Sequence, residues 1–79
     1  MGTSPVRVEP RAVRVTFAED GFTVHLSDGR ALFMPYVYSA RLAGATPEQR
    51  AEYELIGRGM GIHWPQIDED LSVAGLLRG

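Results

Sequence analysis

The sequence predicts an α+β domain: a three-stranded antiparallel β-meander packed with two or three short helices, with a possible short fourth strand. Three observations carry this. Two alternating apolar runs are punctuated by the acid–glycine turns Glu19-Asp20-Gly21 and Asp28-Gly29. Thr46-Pro47-Glu48-Gln49 has the composition of a capping box opening a helix. The chain has 79 residues and no cysteine, which predicts one domain without a disulfide staple. A domain of this size buries only about 60% of its unfolded surface, so a stable partner or a second copy could supply missing burial.

Residues 1–11 hold two prolines and no periodicity, and read as an N-terminal tail; residues 12–79 read as the single small domain. In Ala12–Ala18 the alternation places Val13, Val15 and Phe17 on one face and Arg14 and Thr16 on the other, the pattern of a half-buried strand. Phe22–Ser27 repeats it, with Phe22, Val24 and Leu26 inward. Asp28-Gly29 predicts a type I′ hairpin turn, which needs positive φ at both central residues. Arg30–Met34 returns as the third strand, and Pro35 ends it or marks an edge.

Ser39 is placed to cap a short helical turn that Gly44 stops. From Thr46 a helix is expected to run to about Ile56, with Gly57 at its C-cap. Its apolar residues fall on two faces, Ala51 with Leu55 and Tyr53 with Ile56, which favours a helix wedged inside the fold. Gly57, Gly59 and Gly61 punctuate an irregular connection, and Ile62-His63-Trp64 reads as a short strand ended by Pro65. Asp68-Glu69-Asp70 reads as a solvated cap of acids ahead of a last helix. Ser72 caps that helix, Leu71 and Leu76 form a staple across the cap, and Val73, Leu76 and Leu77 make its buried face.

Charge and composition exclude several function classes. The net charge is −2, with eight arginines and no lysine. This is too weak for electrostatic nucleic-acid binding, which needs several clustered cations to neutralise phosphates. No apolar run approaches a membrane span and no signal-peptide h-region opens the chain, so a cytoplasmic protein is expected.

The chemistry-bearing residues have structural explanations. Gly57-x-Gly-x-Gly follows a predicted helix instead of a strand and lacks a following Lys-Ser/Thr, so it is a turn and not a phosphate loop. His63 with Asp68, Glu69 and Asp70 has too few convergent ligands for a metal centre, because successive residues point in different directions. Ser27, Ser39, Thr46 and Ser72 have turn or capping roles, and no triad spacing stands out. No catalytic residue, metal or cofactor is therefore expected. Trp64 reads first as a core residue whose N–H needs a partner, and second as an interface anchor; the tyrosines are read in the same way. Arg41 is expected to pair with an acid of the Asp68–Asp70 run.

Three stretches together resemble a known family: Ala45-Thr-Pro-Glu-Gln-Arg, Gly59-x-Gly-Ile-His-Trp-Pro, and Asp68-Glu-Asp-Leu-Ser-Val-x-Gly-Leu-Leu-x-Gly. The strand ending Leu32-Phe-Met-Pro also fits. This is similar to the small bacterial domain-of-unknown-function family numbered 2442, over about residues 12–79. The resemblance implies a β-meander with short helices and no established activity. It also implies a gene context resembling toxin–antitoxin pairs, and in other members a following helix-turn-helix. The chain departs from the family at Tyr38-Ser39-Ala40, where members carry aromatic-aromatic-Pro before the arginine, and at Arg58, which replaces a common glycine.

The expected function is a small non-enzymatic module that binds a protein partner and inhibits or regulates it, in the manner of an antitoxin. Alternatives are a phage or mobile-element inhibitor of a host defence complex, anti-CRISPR-like, and a nucleic-acid-associated transcriptional regulator. The candidate partner-binding residues are Tyr36, Tyr38, Arg41, Tyr53, Arg58, Trp64, Asp68 and Glu69.

Overall fold

The computed structural model describes residues 10–78. Most of the predicted tail, residues 1–9, and the final Gly79 lie outside the described residues. The architecture is α+β, with two three-stranded antiparallel sheets where one meander and a possible fourth strand were expected.

The first sheet is the predicted meander: β1 (Ala12–Phe17), β2 (Gly21–Leu26) and β3 (Ala31–Pro35), in the order β1-β2-β3. Phe22, Val24 and Leu26 are buried as their alternation requires. In β1 the prediction fails at one residue. The register passes from Ala12 opposite Leu26 to Arg14 opposite His25, so Val13 is an extra residue in a bulge. The bulge moves Val13 to solvent and gives its inward place to Ala12, while Val15 remains in the core.

The β2–β3 hairpin is also built differently from the type I′ expectation. Gly29 has φ +91°, whereas Asp28 is not among the positive-φ residues. Gly29 N–H donates to Leu26 O at 3.1 Å and Leu26 N–H to Arg30 O at 2.8 Å. This is a three-residue loop with glycine in the left-handed position. The Asp28 carboxylate accepts the Arg30 backbone N–H at 3.0 Å and its guanidinium at 2.8 Å. These bonds, the backbone one first, hold the Asp28 carboxyl below its ordinary value. Gly21 is required at the start of β2, where an added Cβ would run into the Met34 carbonyl and the Phe33 ring.

A 3₁₀ turn, Tyr36–Tyr38, leads to α1 (Ala40–Ala43), capped as predicted: Ser39 Oγ accepts from Leu42 N–H at 3.2 Å, and Gly44 is the C-cap. The Thr46–Gln49 capping box forms, with reciprocal bonds of 2.9 and 3.1 Å. The helix it opens, α2 (Pro47–Ala51), stops at Glu52 instead of reaching Ile56. Glu54–Ile56 is strand β4, paired with β5 (Gly61–Trp64). Of the two-faced pattern, Ala51 ends the helix, Tyr53 lies in the link and Leu55 and Ile56 fall in the strand, so the wedged helix does not form. A three-residue strand with a ready neighbour overrides its weak helical preference.

A second correction concerns the acids. Glu69–Ser72 is strand β6, which completes a sheet of order β4-β5-β6, so Glu69 and Asp70 sit in a ladder and not in a helix cap. Ser72 still caps α3 (Val73–Arg78), accepting from Gly75 N–H at 3.0 Å. Val73 and Leu76 are buried as predicted, but Leu77 is exposed.

The core lies between the two sheets, with Trp64, Phe22, Leu42, Ile62, Val24 and Val73 fully enclosed. Phe22 and Trp64 meet edge-on at 6.3 Å, and Tyr53 reaches Trp64 at 6.4 Å and Phe17 at 6.1 Å. Arg50 joins α1, α2 and the core. Its guanidinium donates to Leu42 O at 2.8 Å and Ala43 O at 3.1 Å and lies 4.2 Å over the Tyr36 ring. Its own carbonyl accepts the Trp64 indole N–H at 3.1 Å. One arginine thereby adds a donor to each of the last two carbonyls of α1.

Candidate functional site

The eight candidate partner-binding residues separate into three groups. Trp64 is 0% exposed and Tyr36 is buried, its hydroxyl donating to Ala18 O at 2.8 Å. Tyr53 is half-buried, and its hydroxyl accepts the Val15 N–H at 3.1 Å, tying the edge of β1 to the second sheet. These three aromatic residues hold the fold together and present little or no face to a partner. Trp64 follows its core reading, and its N–H has the partner that reading required.

Arg58 is exposed on the 3₁₀ turn Gly57–Gly59, which abuts Arg11 and Ala12. Gly57, Arg58 and Gly59 have φ of 58°, 59° and 87°. An arginine in the left-handed region costs about 1 kcal/mol more than glycine would. This is the position at which the sequence departs from a common glycine, and the departure is visible as backbone strain.

The third group converges. Arg41 meets Asp68, and Glu69 meets Ser39, where the segment after β3 crosses the start of β6; Tyr38 precedes Ser39 on that segment. Arg41 Nη1 donates to the carbonyls of Asp68 and Ile67 and lies 3.7 Å from the Asp68 carboxylate. The predicted pairing of Arg41 with the acid run is therefore present, through Asp68. That pair is exposed, with the Asp68 side chain 90% accessible, so the ion pair itself contributes under about 1 kcal/mol. Its role is to order the turn, in which Asp68 has φ 54°.

Ser39 supplies the buried half of this junction. Its hydroxyl donates to Glu69 Oε2 at 2.6 Å while accepting from Leu42 N–H, and Glu69 Oε1 takes the Asp70 N–H at 3.0 Å. Ser39 is buried and Glu69 half-buried, so this charge-assisted bond is shielded from water. Ser39→Ala removes a helix cap and the donor to Glu69 together. The expected loss is about 1–3 kcal/mol, and chemical denaturation would register it. A loss within error of zero would show that the junction contributes nothing to stability.

Sequence reading missed what surrounds the junction. Val37, at the tip of the 3₁₀ turn, is 86% exposed, and Tyr38 beside it is 55% exposed. Tyr38 forms one wall of an open groove with Met34, Leu71 and Leu76, and Asp70 and Ser72 stand at its rim. A hydrophobic run with no periodicity gives no signal that one residue, Val37, is held out in solvent.

On the outer face of the second sheet, His63 lies directly opposite Asp70 and their side chains meet at 2.7 Å. The other ring nitrogen of His63 has no hydrogen-bond partner among the described residues. On the first sheet His25 contacts Thr16 at 3.1 Å and Arg14 at 3.4 Å. Among the described residues no group of three or more metal-ligating side chains converges. No described helix is long and apolar enough to cross a membrane.

Comparison with known proteins places this geometry. The model of the family described as "Protein of unknown function (DUF2442)" matches residues 12–79. A crystal structure of a protein of unknown function from Rhodospirillum rubrum is 34% identical, with TM-score 0.78, over 91% of this chain and 89% of that one. A solution structure of an uncharacterised protein from Chromobacterium violaceum is 30% identical, with TM-score 0.73. That match covers 86% of this chain and 64% of the other, so the chain spans less than two thirds of that relative. Among curated proteins none matches.

Proposed function

Because the chain belongs to the DUF2442 family, whose description carries no activity, we propose from its surface that it is a non-enzymatic protein-binding module. It acts in the cytoplasm and regulates or inhibits the protein it binds, as an antitoxin does. One observation carries the reading: Val37 and Tyr38 are held out in solvent on a turn that the structure braces from behind. Ser39–Glu69 and Arg41–Asp68 provide that bracing. Holding apolar side chains in water is unfavourable by roughly 25 cal/mol per Å². A rigid turn that does so is organised for contact, since little ordering entropy remains to oppose binding. The adjoining groove has an apolar floor, with Asp70 and Ser72 at its rim. It suits a partner with an apolar anchor and a polar or basic group beside it.

Val37→Asp and Tyr38→Ala test the reading, because neither side chain is buried in the core. Wild-type protein immobilised in host lysate is expected to retain one stoichiometric partner. Each variant, folded by circular dichroism, should lose at least tenfold of it. Equal capture by wild type and both variants, or no partner at all, would sink the proposal.

A further inference from the structure

We infer that the free edge of β3 is a self-association site, at which a second copy of this chain pairs antiparallel about Leu32 to join two meanders into one six-stranded sheet. This edge adjoins the Tyr38 groove through Met34, but the inference rests on backbone pairing and does not depend on the proposed partner.

The backbone phase of β3 follows from its flanking bonds. Leu26 N–H donates to Arg30 O, and Tyr36 N–H to Asp20 O at 3.3 Å. With the register of His25 opposite Ala31 through Gly21 opposite Pro35, even-numbered residues of β3 bond to β2. The N–H and C=O groups of Ala31 and Phe33 therefore point away from the sheet, and among the described residues neither has a hydrogen-bond partner.

The other edges are managed. On β1, Val15 N–H is taken by Tyr53, and the 3₁₀ turn at Gly59 packs on Ala12 O. On β6, Asp70 N–H is taken by the Glu69 carboxylate, and Asp68 O by Arg41. β4 is only three residues long. Short strands, covering loops and local caps are the usual means of blunting edges. β3 has none of them over Ala31-Leu32-Phe33-Met34, which carries no charge.

A second copy fits this edge for reasons of register. Two outward residues separated by one inward residue are self-complementary under a two-fold axis. Ala31 exchanges both bonds with Phe33 of the copy, and Phe33 with its Ala31, giving four N–H···O bonds. The same pairing sets the exposed Phe33 ring, 46% accessible, opposite the methyl of Ala31, large against small, twice. Gly29 and Pro35 each lie three residues from Leu32, so both ladders stop together. Arg30 of one copy falls opposite Met34 of the other. The two Arg30 residues are then about 14 Å apart along the strands at ~3.4 Å per residue, beyond the Debye length of roughly 8 Å.

The test is sedimentation of the full chain from roughly 10 µM to roughly 1 mM, the range suited to an interface below standard size. Monomer should pass to dimer across it. Ala31→Pro removes an N–H that the β2 ladder does not use, and should raise the concentration needed for dimer at least tenfold. Amide exchange of the wild type covers the case in which that variant fails to fold. Ala31 and Phe33 should exchange at least tenfold more slowly at the high concentration than at the low. A monomer at 1 mM overturns the inference, as does a dimer unchanged in folded Ala31→Pro. Exchange at both amides that is independent of concentration also overturns it, as does protection that appears only when a different chain's extended segment is added.

Discussion

Trp64→Ala is expected to cost about 3–5 kcal/mol, the usual range for truncating a fully buried aromatic residue. A domain of this length is worth only roughly 4–12 kcal/mol in total, at about 0.05–0.15 per residue. The variant should therefore be largely unfolded at physiological temperature or lose most of its thermal transition. Two losses add here. The ring is the meeting point of Phe22 and Tyr53, so its removal opens a cavity between the two sheets. Its indole N–H also satisfies Arg50 O, and Arg50 in turn closes the end of α1. Trp64→Phe separates the two. It keeps most of the packing and strands the carbonyl, so it should lose about 1–3 kcal/mol. Denaturant titrations of both variants check this, and a Trp64→Ala loss below about 1 kcal/mol would be incompatible with the core described.

Gly59→Ala is the second large effect, expected at about 2–6 kcal/mol. An added Cβ would stand 2.6 Å from Ala12 O, a backbone atom of β1 that cannot swing aside. The residue also has φ +87°. Left-handed strain and overpacking each cost about 1–3 kcal/mol. The contact is one of the seams between the two sheets, so relief would require the sheets to part. Gly29→Ala is the control, with φ +91° and open space around it. It should lose only the conformational part, about 1 kcal/mol. Thermal melts of the pair give the difference directly, and equal losses would mean that the seam bears no load.

The elements that were legible in the sequence share a property: each is specified within a few residues. The Thr46–Gln49 box, the Ser39 and Ser72 caps, the β2 alternation and the Pro65 stop each act within one turn or one strand. What failed involved choices made by distant neighbours. Val13 is apolar and in phase, yet a bulge turns it outward. Glu54–Ile56 passes for the end of a helix until β5 is there to pair with it. Glu69 is one acid among three until Ser39, thirty residues earlier, is placed beside it.

The candidate site divides in the same way. Arg41 and the acid run, 27 residues apart, pair as their opposite charges suggest, through Asp68. Composition favours the core for Trp64, which is where it lies, but does not sort the tyrosines, since Tyr36, Tyr38 and Tyr53 suit a core or an interface alike. The hydroxyls of Tyr36 and Tyr53 and the indole N–H of Trp64 have backbone partners inside, whereas the Tyr38 hydroxyl has none among the described residues. The sequence by itself determined the α+β class, the first meander, the caps and the family. Only the tertiary structure decided that a second sheet exists, which aromatics it encloses, and which edge is left open. Turns and caps are satisfied by short-range bonds along the chain. Burial and edge pairing depend on which surfaces two sheets can hide from water together, and no local window contains both.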